Sequence, residues 1–388
     1  MKILLLGEYS NLHNTLAEAL REMGHEVTLA NNGDFWKDYK RDIDLVRYHD
    51  DGYGPGARIR NLFYQLHFGL KLLTALPRMR GFDIVQIINP KFMELTGTNN
   101  LRIYNYLRRH NRKMVMGAFG DDYYYVNVNL TMHPMRYSDY NRGDTTYYNK
   151  EAEVRLHEWR DSDLRTANLA IANDCDMIIA GAYEYWLPYH VADGISFDGF
   201  QNNGLARKLH YIPFPFKPAA KVTPAPSDKM RIFIGINKTR SVFKGTDIML
   251  QAAMDLKEKY PDKVELKIAE SVPFQQYQSM MDNSDVMLDQ LYAYGPGMNA
   301  LLALSKGIIT LTGGEPEHYD LMGETSCRPV VNVEPNYESV FSALENLILH
   351  PEQLAALKEE SRNYVIRNYE YHTVAAQYVS LYEKLLSE

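Results

Sequence analysis

The stretch YAYGPGMNALLALSKGIIT, residues 292–310, sets Gly295 and Gly297 at the start of an apolar, helix-spaced run. Backbone N–H groups at a helix start suit a phosphate, although a lone Gly-x-Gly is a weak signal outside its context. The stretch holds no acidic residue. Tyr294 offers a ring that can stack on a sugar and a hydroxyl that can donate, and Asn299 can hydrogen-bond hydroxyls. Upstream, KTRSVFKG supplies Lys238, Arg240 and Lys244 between an apolar strand and a helix. Taken alone, these are ordinary solvated charges before a helix. Glu270, at the end of VELKIAE, is a further strand-end carboxylate that could accept from ligand hydroxyls. In GAFGDD, Asp121 and Asp122 stand at a strand end. Either could accept from a ligand hydroxyl or steady positive charge, and either could equally be a turn or capping aspartate. Gly7, Glu8 and Asn89 occupy comparable strand ends.

Other chemistries find little support. The Asp-x-Asp tripeptides DID (42–44), DSD (161–163) and DCD (174–176) are short enough to arise by chance. The twelve histidines form no His-Glu-x-x-His, and no Cys/His spacing suits zinc. We therefore expect no metal site. There is no Gly-x-Ser-x-Gly elbow, and MKILLLGEYS lacks the full dinucleotide fingerprint, so no redox cofactor is expected. A net charge of -7 over 388 residues argues against a nucleic-acid partner. Cys175 and Cys327 lie far apart, which suggests a reducing cytoplasm rather than a disulfide framework. The opening MKILLLG reads as a first strand and not as a signal peptide, and no apolar run approaches the ~20 residues of a membrane span. The 29 tyrosines include candidates for sugar stacking, but any one of them is more simply an amphipathic packing residue.

Two αβ series must position these groups. In the first, KILLLG, EVTLAN, FDIVQIINP (82–90), KMVMGAFGDD (113–122), CDMIIAGA (175–182) and LHYIPFPF (209–216) read as strands of a parallel sheet, with NTLAEALREMGH as a crossover helix. Residues 123–165 form a polar, tyrosine-rich excursion over the strand ends, helical towards Arg165; segments of that size are usually functional or disordered. PFPFKPAAKVTPAPSDK reads as a linker. MRIFIGIN, VELKIAE, SDVMLDQLY and GIITLTGG then alternate with helices, and the tail is helical with a break near Pro351. The division is 1–212, a linker at 213–229, a second domain at 230–370 and a final helix at 371–388. The fold class is α/β, two doubly wound Rossmann-like domains facing a cleft. The acid-free basic stretches 58–80 and 101–113 could rest on anionic lipid, or could be helices packed on the sheet with basic outer faces.

The second half resembles the GT-B fold retaining glycosyltransferases that use nucleotide-activated sugars. The resemblance rests on IFIGINKTRSVFKGTDIMLQA (232–252), SDVMLDQLY (284–292), GPGMNALLALSKGIIT and the tail HPEQLAALKEESRNYV. It is clear over 230–388 and architectural over 1–215. It implies that Arg240 and Lys244 neutralise the donor diphosphate as the glycosidic bond breaks, with Lys238 as a third cation. It also implies that Gly235 leaves room for the ligand, and that the turn Gly295, Gly297, Met298, Asn299 holds phosphate or sugar. The family has a Glu before the first glycine and another eight positions on; here these are Tyr294 and Leu302. The expected activity is transfer from a nucleotide-sugar co-substrate to a saccharide or lipid-linked acceptor, retaining and metal-independent, as in polysaccharide biosynthesis. A non-catalytic glycan- or partner-binding protein and a sugar-nucleotide epimerase on the same fold are the alternatives. The first domain would carry the acceptor, and the protein would be cytoplasmic, with peripheral membrane contact through the two basic stretches.

Overall fold

The computed structural model describes residues 1–388 except Tyr148; for Trp36, Thr239 and Phe274 only the backbone is described. The apolar runs form two parallel sheets. The first has seven strands in the order Leu209–Tyr211, Met177–Ala180, Lys113–Ala118, Ile84–Ile87, Lys2–Leu6, Glu26–Asn31, Ile43–Asp44, every neighbouring pair parallel. The second has five, in the order Val264–Glu270, Met230–Ile236, Val286–Leu288, Ile309–Thr312, Val331–Asn332, again all parallel. Near-continuous Val, Ile, Leu and Met runs suit strands covered on both faces. Ile3, Leu4, Leu5 and Leu6 are fully buried, as are Ile232, Phe233 and Ile234.

Both sheets are doubly wound, and strand order reverses beside the first strand of each. Ligands of open α/β sheets bind beyond the carboxyl ends of the strands at such reversals. In the second sheet the reversal lies between Met230–Ile236 and Val286–Leu288, so Lys238–Lys244 and the turn after Leu288 rise from its two sides.

The first domain carries helices α1 (Leu12–Glu22), α2 (Pro55–Ala75), α3 (Gly97–His110), α4 (Tyr123–Thr131), α5 (Lys150–Trp159), α6 (Leu164–Asp174) and α7 (Tyr183–Ala192). The polar excursion is more ordered than its composition suggests. It folds as α4, a short hairpin of Asn141–Arg142 with Thr145–Thr146, and α5. Its helix starts at Tyr123 because the Asp122 carboxylate accepts from the Tyr125 N–H at 2.9 Å, an N-cap. Tyr125, Val126, Tyr137, Tyr140, Leu156 and Trp159 give it a core of its own.

The chain leaves the second domain through the helix Leu354–Asn368. The last helix, Tyr371–Ser387, then buries Val374, Ala375, Tyr378 and Tyr382 in the core of the first. The Tyr382 hydroxyl donates to Gln86 at 2.6 Å beneath the first sheet, so the two domains are tied twice, by the linker and by this return.

Candidate active site

The excursion closes the space between the sheets into a cleft of about 610 Å³. The first domain lines it with Tyr9, Asp121, Tyr125, Asp139, Arg155 and Glu184. The second adds Arg240, Phe243, Lys244, Gln290 and Tyr292.

Arg240 and Lys244 are placed by backbone geometry. A short helix, Ser241–Lys244, is stopped by Gly245 at φ 71°, and a Cβ there would also press on Leu291 at 2.9 Å. Glycine thus lets the basic loop turn sharply into the helix Thr246–Lys259, with Lys244 at the cleft wall. The Leu291 N–H donates to the Lys244 carbonyl at 2.9 Å, joining the two sides of the reversal.

An alternating charge chain crosses the cleft. Arg240 Nε lies 2.8 Å from Glu151 Oε1 on α5. Glu151 also pairs with Arg155 at 3.2 Å, and Arg155 pairs closely with Asp121. Beside it stand two half-buried acids, Asp139 and Glu184. Burial raises Asp139 to about 6 against the pull of the Tyr125 hydroxyl, 2.9 Å away, and of Arg240, Arg142 and Lys244. Burial raises Glu184 to about 7, opposed by backbone N–H groups including that of Tyr294. One Glu184 carboxylate oxygen is buried without a partner. Acids pushed towards neutral pH in a cleft are candidate proton carriers or charge stabilisers.

Of the residues singled out in the sequence, the cleft brings together Asp121, Arg240 and Lys244. Several others take different places. Asp122 is 1% exposed; it caps α4 and accepts from the Tyr189 hydroxyl at 2.7 Å, which fixes it inside the first domain. Burial pushes it up to about 6. Glu8 is also buried, accepting the N–H groups of His13 and Asn14 at the start of α1. Asn89 is buried and accepts from the Lys91 N–H at 2.7 Å. Gly7, at φ 86°, has no room for a side chain because Ile88 lies 2.4 Å from where its Cβ would be. These three build the strand ends beneath the cleft.

On the donor side, the room above Gly235 is filled by Tyr277, whose ring would lie 2.5 Å from a Cβ there. Tyr277 also exchanges hydrogen bonds with Asn299, which donates to Asp289 at 3.2 Å. Lys238 and Glu270 pair with each other at 3.0 Å in exposed positions. Gly295 is packed against the His318 ring, whereas a Cβ at Gly297 would meet, among the described residues, just the Gln290 amide at 3.7 Å, which leaves the start of the helix Met298–Ser305 approachable. Met298 packs towards both domain cores.

Tyr294 differs most from its expectation. It is 2% exposed and has no free face to stack on a sugar. Its ring stacks on Tyr183 (centroids 5.1 Å, planes 17° apart), and Arg136 lies over it at 5.3 Å. Its hydroxyl accepts from the Arg136 N–H at 2.8 Å. Arg136 and Tyr137 reach on to Glu315, and Arg136 also to Glu317. The position marks an interdomain joint built by the excursion. Leu302 is partly buried against apolar neighbours of the second domain.

Sequence reasoning missed Asp139, Glu151, Arg155 and Glu184. For Asp139, Glu151 and Arg155 the available signal was the size and polarity of the segment 123–165, which does not say which of its charges face the cleft; Glu184 lies outside that segment, in the first turn of α7, and carried no signal.

Solved structures share this architecture. Sucrose-phosphate synthase (tll1590) from Thermosynechococcus elongatus is 14% identical, with a TM-score of 0.58 and all of both chains covered. Anabaena Alr3699/HepE, solved in complex with UDP-glucose, is 12% identical at TM-score 0.58, covering 99% of this chain and 100% of that one. The catalytic domain of starch synthase IV from Arabidopsis thaliana, bound to ADP and acarbose, is 12% identical at TM-score 0.55, with both chains fully covered. The chain has the GT-B fold. These neighbours are glycosyltransferases in that fold, and this chain matches them at full length. No family model matches the sequence, and no curated protein sequence does. Among the described residues no group of three His, Cys, Asp or Glu is placed to hold a metal ion, and no helix is long and apolar enough to cross a membrane.

Proposed function

We propose that the protein is a cytoplasmic, metal-independent glycosyltransferase that moves a sugar from a nucleotide-sugar donor to a saccharide or lipid-linked acceptor with retention. One observation carries this reading. Arg240 and Lys244, beside the strand-order reversal of the second sheet, face Asp121, Asp139 and Glu184 of the first domain across a single cleft. The cations suit a diphosphate that grows more anionic as it leaves, Arg240 engaging two oxygens and Lys244 acting as a point charge. The acids suit the opposite charge developing at the sugar carbon and the proton on the acceptor hydroxyl. They stand in for the two carboxylates missing at Tyr294 and Leu302. In this reading Glu151 holds Arg240 until donor phosphate displaces it.

A second reading has a specific observation behind it. Tyr277 occupies the space above Gly235, and Lys238 is paired with Glu270, as would suit a GT-B protein that binds a glycan without turning over a nucleotide. Calorimetry separates the two. The transferase should bind at least one of UDP, ADP, GDP or CDP, and Arg240→Ala should weaken that binding about 10- to 100-fold, the worth of a hydrogen bond to a charged group. A folded protein that takes saccharide, ignores all four nucleotides and is indifferent to Arg240→Ala would replace this proposal with the binding-only one.

A further inference from the structure

Helix α2 wears its apolar residues on the outside. Ile59, Leu62, Phe63, Leu66, Leu70 and Leu73 are each 59–69% exposed. At 3.6 residues per turn their spacing confines them to an arc of roughly 100°. Ala57, Phe68 and Ala75, the buried residues of the helix, lie on the opposite side. A helix packed on a sheet should show the reverse, polar residues outward. The expectation of a basic outer face for this stretch is therefore corrected: its outer face is an apolar stripe, and the basic residues rim it.

The rim is uniformly positive. From Gly52 to Phe82 there is no Asp or Glu, while Arg58, Arg60, Lys71, Arg78 and Arg80 are present, in a chain whose net charge is -7. Arg60 and Lys71 are held by Asp50 and Asp44; among the described residues Arg58 has no ion-pair partner. Arg80 stacks on Tyr106 of α3 at 5.0 Å. Arg102 and Arg109 share that helical face of α3, four residues before Tyr106 and three after it. Between α2 and α3 runs a groove of about 510 Å³ with Phe68, Leu72, Leu95 and Ile103 as apolar walls and Arg47 and Arg102 beside them.

We propose that α2 is a membrane-surface helix that docks the first domain on an anionic lipid bilayer, its stripe entering the acyl boundary and its arginines meeting the headgroups. A convex apolar stripe rimmed with cations and lacking acids is the pattern of an interfacial helix, and the negative surface potential of anionic lipid rewards each cation near it. A two-fold pairing of α2 with a second copy would instead set two acid-free basic segments against each other. Charge therefore favours lipid over self-association. The proposal goes beyond the glycosyltransferase reading and does not depend on it.

Flotation of the full chain with vesicles tests it. Binding is expected to vesicles of phosphatidylcholine with about one-third phosphatidylglycerol, to fall at least several-fold between 0.1 and 0.5 M salt as surface charge is screened, and to be weak on phosphatidylcholine alone. The double variant Leu66→Asp with Leu70→Asp, both at exposed positions, should lose at least tenfold in binding with its melting temperature retained. Arg58→Glu should lose severalfold. Wild type that fails to float with either vesicle overturns the proposal, as does equal binding by the double variant. Light scattering that shows a dimer abolished by the double variant, with no vesicle binding, overturns it in favour of a second copy. Nucleoside diphosphate binding by the double variant reports on the cleft separately, so failure of one reading is distinguishable from failure of the other.

Discussion

Glu151→Gln isolates the role of the charge chain. In the resting cleft Glu151 Oε1 neutralises Arg240 at 2.8 Å and Arg155 at 3.2 Å. If Arg240 holds the donor diphosphate as proposed, that diphosphate competes with Glu151 for the guanidinium. The Arg240 and Glu151 side chains are 37% and 22% exposed, so the pair is partly screened by solvent. Its worth should sit near the top of the range for exposed pairs, about 1 kcal/mol, and well below that of fully buried ones. Gln keeps the shape and removes the charge. Relieved of that competition, Arg240 should bind diphosphate more tightly by about 1 kcal/mol, roughly a fivefold fall in Kd. The assay is titration calorimetry with whichever nucleoside diphosphate gives the largest thermal shift on the wild type, since a ligand bound to the native state raises its stability by mass action. The same titration at higher salt should narrow the gap between variant and wild type. Unchanged or weaker binding by Glu151→Gln would refute the reasoning, because Glu151 would then be a ligand to the nucleotide side or a bystander.

Three further outcomes follow from the same geometry. Glu184→Gln should reduce transfer strongly. Because burial holds the native carboxyl near 7, above its ordinary 4.5, ionising it costs native stability as pH rises through that window, so the variant should gain in melting temperature over the wild type from about pH 4.5 to 7 and hold that gain above it. His13, buried between the Gly7 carbonyl at 2.8 Å and the Gln86 amide at 3.1 Å, is pushed down to about 4 by burial. It supports the fold while neutral, and that support should fade as pH falls from 6.5 towards 4; in His13→Asn the melting temperatures at pH 7 and pH 4.5 should lie closer together than in the wild type. Tyr294→Ala should destabilise the protein by about 3–5 kcal/mol, as loss of a buried aromatic does, whereas a residue whose ring served only a bound sugar would leave the melting temperature of the ligand-free protein unchanged.

Much of the framework was legible because it is local. Apolar runs of strand length ending in glycine or polar turns, with helix-spaced segments between them, specify parallel αβ units whatever their surroundings. The cations Arg240 and Lys244 were legible for the same reason, being fixed to the strand and helix on either side of them. The acids that face them were not. Asp139, Glu151 and Glu184 lie on three separate elements, and nothing in their spacing says that they converge. Asp121 and Asp122 show the limit most sharply. They are neighbours of the same type at one strand end, yet Asp121 meets Arg155 in the cleft while Asp122 turns inward to cap α4.

The sequence by itself determined two doubly wound parallel domains, the basic loop before the helix Thr246–Lys259 and the absence of carboxylates at positions 294 and 302. These depend on residue type and short-range periodicity. Only the tertiary structure decided what buries Tyr294, which acids line the cleft, and that the outward face of α2 is apolar. Each of these depends on what lies opposite a side chain in space, set by packing between segments far apart in the chain. A tyrosine written into a glycine-rich turn is chemically able to greet a sugar. It became a joint between domains because residues 136, 137 and 183 arrive from the other domain to bury it.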